Sequence, residues 1–201
     1  MNRPIYINLV VEDILSELCL RKILFLFDDK YDIQNCYGKK GKDYIISKLN
    51  GFNHASRHKP FLVLIDLDMK ECAPVFIREC INFKINQNFL FRIAVREVES
   101  WILANRKEFA SFLGIPIKLL PGNPDEITDP KQTIVDLARR SRKRKIREAI
   151  VPNIRGTAKV GPDYNGRLGF FLKNIWNPED AMRYSASLKR TFISLQNYSF
   201  T

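Results

Sequence analysis

Cysteine and histidine are scarce in this chain: four cysteines (Cys19, Cys36, Cys72 and Cys80) and two histidines (His54 and His58) among 201 residues. There is no C-x-x-C pair, Cys72 and Cys80 lie eight apart with no histidine nearby, and both histidines fall in one polar stretch. A zinc site needs about four clustered soft ligands, which this pattern does not offer. Isolated cysteines of this kind read as small buried hydrophobes. Two histidines in a single loop also leave no base that a third group can orient, which argues against Ser/His/Asp or Cys/His catalysis. The G-x-x-x-x-G-K-[ST] spacing of a P-loop is missing, so the chain carries no ATP site of that kind. Long apolar runs are missing too. The longest, Ile23–Phe27 and Phe61–Ile65, are far short of the roughly 20 residues a membrane span needs. No apolar signal region follows the Met1-Asn2-Arg3-Pro4 start, which argues against export and for a cytoplasmic protein without a membrane partner.

What is present is a large apolar complement and an excess of positive charge. Hydrophobic residues make up 45% of the chain, too many for a disordered protein and enough for a real core. Lys and Arg number 33 against 22 Asp and Glu, a formal charge of +11 that points to a polyanionic partner. The length suits one domain, with room for an appendage.

Strand and helix patterns alternate through the first half. Ile5–Val11, Tyr31–Tyr37, Phe61–Ile65 and Leu90–Val95 read as strands. Asp13–Leu26, Asp43–Leu49, Val75–Phe83 and Glu97–Phe112 read as helices, and Gly51–Lys59 as a polar loop. This alternation predicts an α/β fold with a parallel-rich sheet flanked by helices, in which functional groups gather at the carboxyl ends of the strands. After Pro116 the character changes. Leu119–Pro130 reads as a loop, Gln132–Arg147 as one helix, Gly156–Gly166 as irregular, and Phe170–Trp176 and Ala181–Leu195 as closing helices. The expected organisation is an α/β core over 1–115 and a basic helical extension over 116–201.

Acidic residues follow three of the predicted strands directly. Glu12 comes after Val10-Val11, Asp66 and Asp68 after Leu64-Ile65, and Glu97 and Glu99 just after Ile93-Ala94-Val95. Any one of them reads equally well as a solvated loop start or a helix N-cap. Together, at the edge of a parallel sheet, five carboxylates from distant segments can share one small volume. There they raise one another's pKa unless a cation is present, and hard divalent cations such as Mg²⁺ take oxygen ligands.

The stretches Val10-Val11-Glu12-Asp13, with Glu17 in the helix that follows, and Leu64-Ile65-Asp66-Leu67-Asp68 resemble the Toprim domain, a Rossmannoid fold shared by topoisomerases, bacterial primases and OLD-type nucleases. Arg92–Ala104, Gly161–Asn165 and Ser185–Leu188 resemble more closely a group of small stand-alone Toprim-like bacterial proteins that accompany an ATPase in defence-type loci. The resemblance implies that Glu12, Asp66 and Asp68 are catalytic, bind Mg²⁺ (or Mn²⁺) and act on phosphodiesters, and that an ATPase is a partner. Asp13 stands where the family commonly has glycine, and either alters the turn or adds a carboxylate. Glu97 and Glu99 lie outside the core Toprim signature and are expected as further metal ligands from their place at a strand end.

Positive charge is concentrated in one segment. Arg139–Arg147 holds seven basic residues in nine: Arg139, Arg140, Arg142, Lys143, Arg144, Lys145 and Arg147. Positions 131–175 carry 12 Lys/Arg against three Asp/Glu, or +9 of the total +11. Such a segment reads as a solvated charge run or as a backbone clamp for DNA or RNA, with Tyr164, Phe170 and Phe171 either core residues or base-stacking groups. Lys39 and Lys40, between Gly38 and Gly41, are candidates for cradling a phosphate through backbone N–H groups. Lys70 reads first as a solvated lysine and second as a stabiliser of transition-state charge. The expected function is a Mg²⁺-dependent Toprim-like nuclease serving an ATPase-containing anti-phage defence system. The alternatives are a non-catalytic nucleic-acid-binding or ATPase-docking subunit, with Trp101 and Phe109 at an interface, and a nucleotidyl-transfer enzyme of the primase kind. A homo-oligomer is compatible with each.

Overall fold

A computed structural model describes residues 3–153 and 157–200. Met1 and Asn2 at the start, and Gly156 at the head of the Gly156–Gly166 stretch, lie outside the described residues. Four strands, β1 (Ile5–Val11), β2 (Tyr31–Gly38), β3 (Phe61–Asp66) and β4 (Phe89–Ala94), form one sheet in the order β2-β1-β3-β4 with every pair parallel. The expected α/β class is therefore the observed one. Among the described residues no helix is long and apolar enough to cross a membrane.

Parallel strands buried on both faces need apolar side chains in both directions. Ile7, Leu9, Val11, Leu62, Leu64 and Ala94 point to one face, while Val10, Phe61, Val63, Ile65, Phe89, Phe91 and Ile93 point to the other. This is the two-residue period of a strand. The second face is covered by α2 (Lys42–Ala55) and α3 (Ala73–Cys80) through Ile45, Leu49 and Phe76. The first is covered by α1 (Ile14–Phe25), α4 (Val98–Ala104) and α5 (Arg106–Leu113), together with helices after Pro116. Those later helices are α6 (Pro130–Arg139), α7 (Arg144–Ile150), α8 (Tyr164–Asn174), α9 (Pro178–Ala181) and α10 (Ala186–Asn197). Ile134, Val135, Leu168, Phe171, Trp176 and Leu188 belong to the same buried cluster as the strands.

Several element boundaries differ from the sequence reading. α2 runs on through Gly51 to Ala55 where a polar loop was expected, because Asn53 turns inward. Its amide donates to Lys84 O (3.0 Å), and its Oδ1 accepts from Asn86 N (2.7 Å). The helix expected over Glu97–Phe112 is broken at Asn105, whose Oδ1 accepts from Asn177 N (3.0 Å) and so ties the break to the chain entering α9. The helix expected over Gln132–Arg147 is two helices. Between them the buried Ser141 hydroxyl donates to Leu113 O and its backbone N–H bonds to Ala138 O (3.0 Å). Trp101 and Phe109, read as interface candidates, are fully buried in the core, and so are Tyr164 and Phe171; of the proposed base-stacking aromatics only Phe170 is exposed.

Candidate active site

The carboxyl ends of β1, β3 and β4 lie side by side, and their acidic residues meet there. Glu12 is the first residue past β1, and its Oε1 accepts the backbone N–H of Asp66 at the end of β3 (2.7 Å). Asp66 Oδ1 in turn accepts the N–H of Val98 at the start of α4 (3.0 Å). Three neighbouring segments are thus pinned by two carboxylates. Asp68 turns the chain out of the sheet with φ of 51°, a left-handed conformation that Asp tolerates better than most residues. Its N–H is held by Arg96 O (2.8 Å), and its side chain, half-exposed, pairs with Lys42 from the first turn of α2.

Asp13 resolves the expected departure at that position. Its backbone is extended (φ −148°), so no glycine is needed, and its Oδ1 caps α1 by accepting from Ser16 N (2.8 Å). Buried Glu17, one helical turn on, pairs with Arg21 (2.8 Å) and Lys39 (2.5 Å). Gly38 lets β2 close against β1, since a Cβ there would lie 2.2 Å from Val11 O.

Glu97 and Glu99 enter from the start of α4. Glu99 is 1% exposed; its Oε1 accepts from the Tyr164 hydroxyl (3.2 Å) and lies 3.6 Å from Lys131 Nζ. Its Oε2 is buried with no hydrogen-bond partner among the described residues. Glu97 Oε1 lies 3.9 Å from Lys131 Nζ, and Oε2 accepts the Lys131 N–H (3.3 Å). A cation in the first turn of a helix works against the helix dipole. Lys131 occupies that place on α6 because two carboxylates face it.

Burial and mutual repulsion set the protonation of the cluster. Burial pushes Glu12 up to about 7, with Asp68 and Asp13 adding to the effect and Lys42 opposing it. Asp66 is raised well above the usual carboxylate range by burial and then by Glu99, Glu12, Asp13 and Asp68. Glu99 is pushed up to about 7 by burial, against the pull of Lys131. Glu97 is raised for the same reason. Lys131 is itself desolvated, yet Glu99 and Glu97 hold its ammonium above the ordinary lysine value. All five expected carboxylates, joined by Asp13, therefore feel one another. Among the described residues, however, no group of three or more His, Cys, Asp or Glu side chains is gathered as a ready-made metal cage.

Other expected contributors are placed elsewhere. Lys70 pairs with Glu79 of α3 (2.9 Å) rather than facing the acidic edge. The N–H groups of Lys39 and Gly41 bond to Val11 O (2.8 Å) and Glu12 O (3.4 Å), so these amides do not form an anion cradle; Lys40 lies over the Tyr44 ring. The basic segment divides. Lys143 donates to Ser111 O (2.8 Å) and Phe112 O (3.1 Å) at the end of α5, Arg147 donates to Ser141 O (2.7 Å), and Arg144 pairs with Glu148 (2.7 Å). Arg139 is 3.7 Å from Asp136. Arg140, Arg142 and Lys145 are exposed, with no partner among the described residues. Sequence reasoning missed Lys42 and Lys131, and it read Tyr164 as a core residue or a base-stacking group; Tyr164 is buried, and its bond to Glu99 was not foreseen. Lys131 carried one signal, a cation immediately after the helix-starting Asp129-Pro130 pair.

An α/β sheet with a buried acidic edge at its strand ends is the class these observations define. Compared with known proteins, the chain matches no family model, no curated protein and no solved structure.

Proposed function

We propose that this chain is a metal-dependent nuclease of the Toprim-like kind, acting on phosphodiester bonds with the carboxylates at the strand ends. One observation carries the reading: Glu12 after β1 and Asp66 at the end of β3 are linked directly, with Asp68 and the buried Glu99 electrostatically coupled to them. The donor set fits a hard divalent cation, being carboxylate oxygen throughout, mutually repelling, and including the unpartnered Glu99 Oε2. Glu12, Asp66 and Asp68, with Glu97 and Glu99 beside them, would hold Mg²⁺ or Mn²⁺, which supplies Lewis-acid polarisation of the phosphodiester. Asp66 is kept in place by Val98 N–H, and Lys42 and Lys131 supply counter-charge at the two flanks of the cluster. Arg140, Arg142 and Lys145 suit backbone phosphates of DNA or RNA.

Incubating the purified protein with DNA and RNA, with Mg²⁺, Mn²⁺ or EDTA, tests this reading. Metal-dependent cleavage that Asp66→Asn abolishes is expected, and cleavage by Asp66→Asn at the wild-type rate would remove the site. Resemblance to stand-alone Toprim-like proteins extends the proposal to an ATPase partner in a defence system, for which co-purification with the product of an adjacent ATPase gene is the check.

A second reading, a non-catalytic nucleic-acid-binding or ATPase-docking subunit, draws on the lysines already paired within the acidic cluster. Nucleic-acid binding that ignores both divalent metal and Asp66→Asn, without cleavage, favours it.

A further inference from the structure

At the edge strand β4, a pocket of about 430 Å³ lined by none of the acidic cluster's carboxylates opens between α3 and α10. One wall is apolar, made by Pro74, Ile77, Phe91 and Ile93; the other carries Arg92 and Arg190. The volume falls in the range of small-molecule sites. The two arginines are the unusual feature. Arg92 is partly buried on the strand, and among the described residues the one hydrogen bond of its guanidinium runs from Nε to the carbonyl of Phe91 (2.7 Å). Neither arginine has a carboxylate partner among the described residues, and the charge that reaches Arg92 is the like charge of Arg190. Desolvation and that repulsion hold Arg92 below the ordinary arginine value, the opposite of what a structural ion pair produces. A partly buried guanidinium and an exposed one lining the same cavity, with no carboxylate partner for either among the described residues, are poorly placed for stability alone. The pocket's hydroxyls do not relieve them: Thr191 donates to Ser187 O (3.1 Å), and Ser187 Oγ accepts from Trp101 Nε1 (2.8 Å).

We infer that the pocket is a binding site for a phosphate monoester with an apolar or planar body, of mononucleotide size, its phosphate between Arg92 and Arg190 and its body against Phe91 and Ile77. A phosphate dianion matches two guanidiniums in charge, and the planar fork of arginine suits phosphate oxygens. None of the acidic-edge carboxylates lines this pocket, and the inference does not depend on the nuclease reading.

Calorimetric titration of the full chain with AMP, phenyl phosphate, inorganic phosphate and adenosine, without divalent metal, tests this inference. AMP and phenyl phosphate are expected to bind at one saturable site, inorganic phosphate more weakly, and adenosine not at all. Arg190→Gln, at an exposed position, is expected to weaken AMP by about tenfold or more, the scale of one lost charge-assisted hydrogen bond. Arg92→Gln should do the same. Ile77→Trp, which fills the pocket and leaves both arginines in place, should also abolish binding and covers the case in which Arg92→Gln fails to fold. The inference is overturned if neither organic phosphate binds, if both retain wild-type affinity in Arg190→Gln and Ile77→Trp, or if inorganic phosphate binds as tightly as AMP. Binding of an oligonucleotide at this pocket without binding of AMP would equally overturn it.

Discussion

The acidic groups at the strand ends and the basic groups between Arg139 and Arg147 are charged regions of opposite sign, built in opposite ways. The acidic groups come from three distant stretches of chain, are buried or half-buried except for Asp68, and each meets a donor from another element: Asp66 N for Glu12, Val98 N for Asp66, Lys42 for Asp68, Lys131 for Glu97 and Glu99. The basic groups come from one short stretch and lie on the surface. Lys143 and Arg147 support the chain, while Arg140, Arg142 and Lys145 are exposed without partners among the described residues. The difference teaches where charge carries specificity. Buried carboxylates cost desolvation free energy and persist only where geometry compensates them, whereas a solvated charge run costs little and reads only the density of negative charge opposite it.

The largest effect expected from breaking this contrast is at Asp66. Asp66→Asn retains an oxygen to accept from Val98 N and removes one of the repelling charges, so thermal denaturation should show an unchanged or raised Tm. Metal-dependent phosphodiester cleavage should fall by about a thousandfold or more, the several kcal/mol that a well-placed metal contributes. Loss of both Tm and cleavage would mean that Asp66 serves chiefly as a structural acceptor.

Next in size is the response of stability to pH. Glu12 and Glu99 are each raised from 4.5 to about 7, so between those values the folded protein holds protons that the unfolded chain has released. Stability therefore falls as pH rises through that window and is lowest above it; Asp66 and Glu97 act in the same direction, and Glu17, lowered by Lys39 and Arg21 against its burial, acts in the other. At about 1.4 kcal/mol per unit, each raised glutamate accounts for at most on the order of 3 kcal/mol. Tm measured in EDTA should be higher near pH 5 than near pH 8, and Glu99→Gln should remove part of that slope. A slope unchanged by Glu99→Gln would separate Glu99 from the coupled cluster.

The basic segment sharpens the comparison from its other side. Replacing Arg140, Arg142 and Lys145 together by Ala should leave Tm within about 2 °C while lowering the log–log salt slope of nucleic-acid binding by up to about 3, at roughly 0.9 per lost phosphate contact. Lys143→Ala should do the reverse, lowering stability by about 1 kcal/mol through loss of its bonds to the end of α5 and scarcely changing the slope. Equal loss of binding from both variants would make the whole segment one undivided patch.

How much of this was legible in the sequence follows the range of the interaction concerned. The parallel sheet was readable because strand burial writes itself as local runs such as Phe61–Ile65, and Glu12, Asp66, Asp68, Glu97 and Glu99 could be placed together because strand ends in a parallel sheet share an edge. Helix breaks at Asn105 and Ser141 were not readable. Both depend on side-chain hydrogen bonds to segments 72 and 28 residues away. The pairing of Lys131 and Tyr164 with Glu99 was unreadable for the same reason, since only the packing of α6 and α8 against α1 and α4 brings them there. The split of the basic segment into supporting and free groups likewise depends on where the end of α5 falls.

The smallest expected effect is at Tyr164, and it tests whether Glu99 belongs to a site or only to the core. Its hydroxyl donates to Glu99 Oε1 at 3.2 Å, while Lys131 Nζ stands farther off at 3.6 Å and Oε2 has no hydrogen-bond partner among the described residues. Tyr164→Phe preserves the buried ring and removes one donor, so its cost should be about 1 kcal/mol, a fall of roughly 2–4 °C in Tm for a chain of this size. The fall should be larger at pH 8 than at pH 5, because the hydroxyl favours the ionised carboxylate and a protonated Glu99 depends on it less. If the Tm loss is the same at both pH values, Tyr164 merely satisfies a polar group in the core. If it grows with pH and shrinks again when Mn²⁺ is added, the hydroxyl is holding a charged carboxylate in position for a cation.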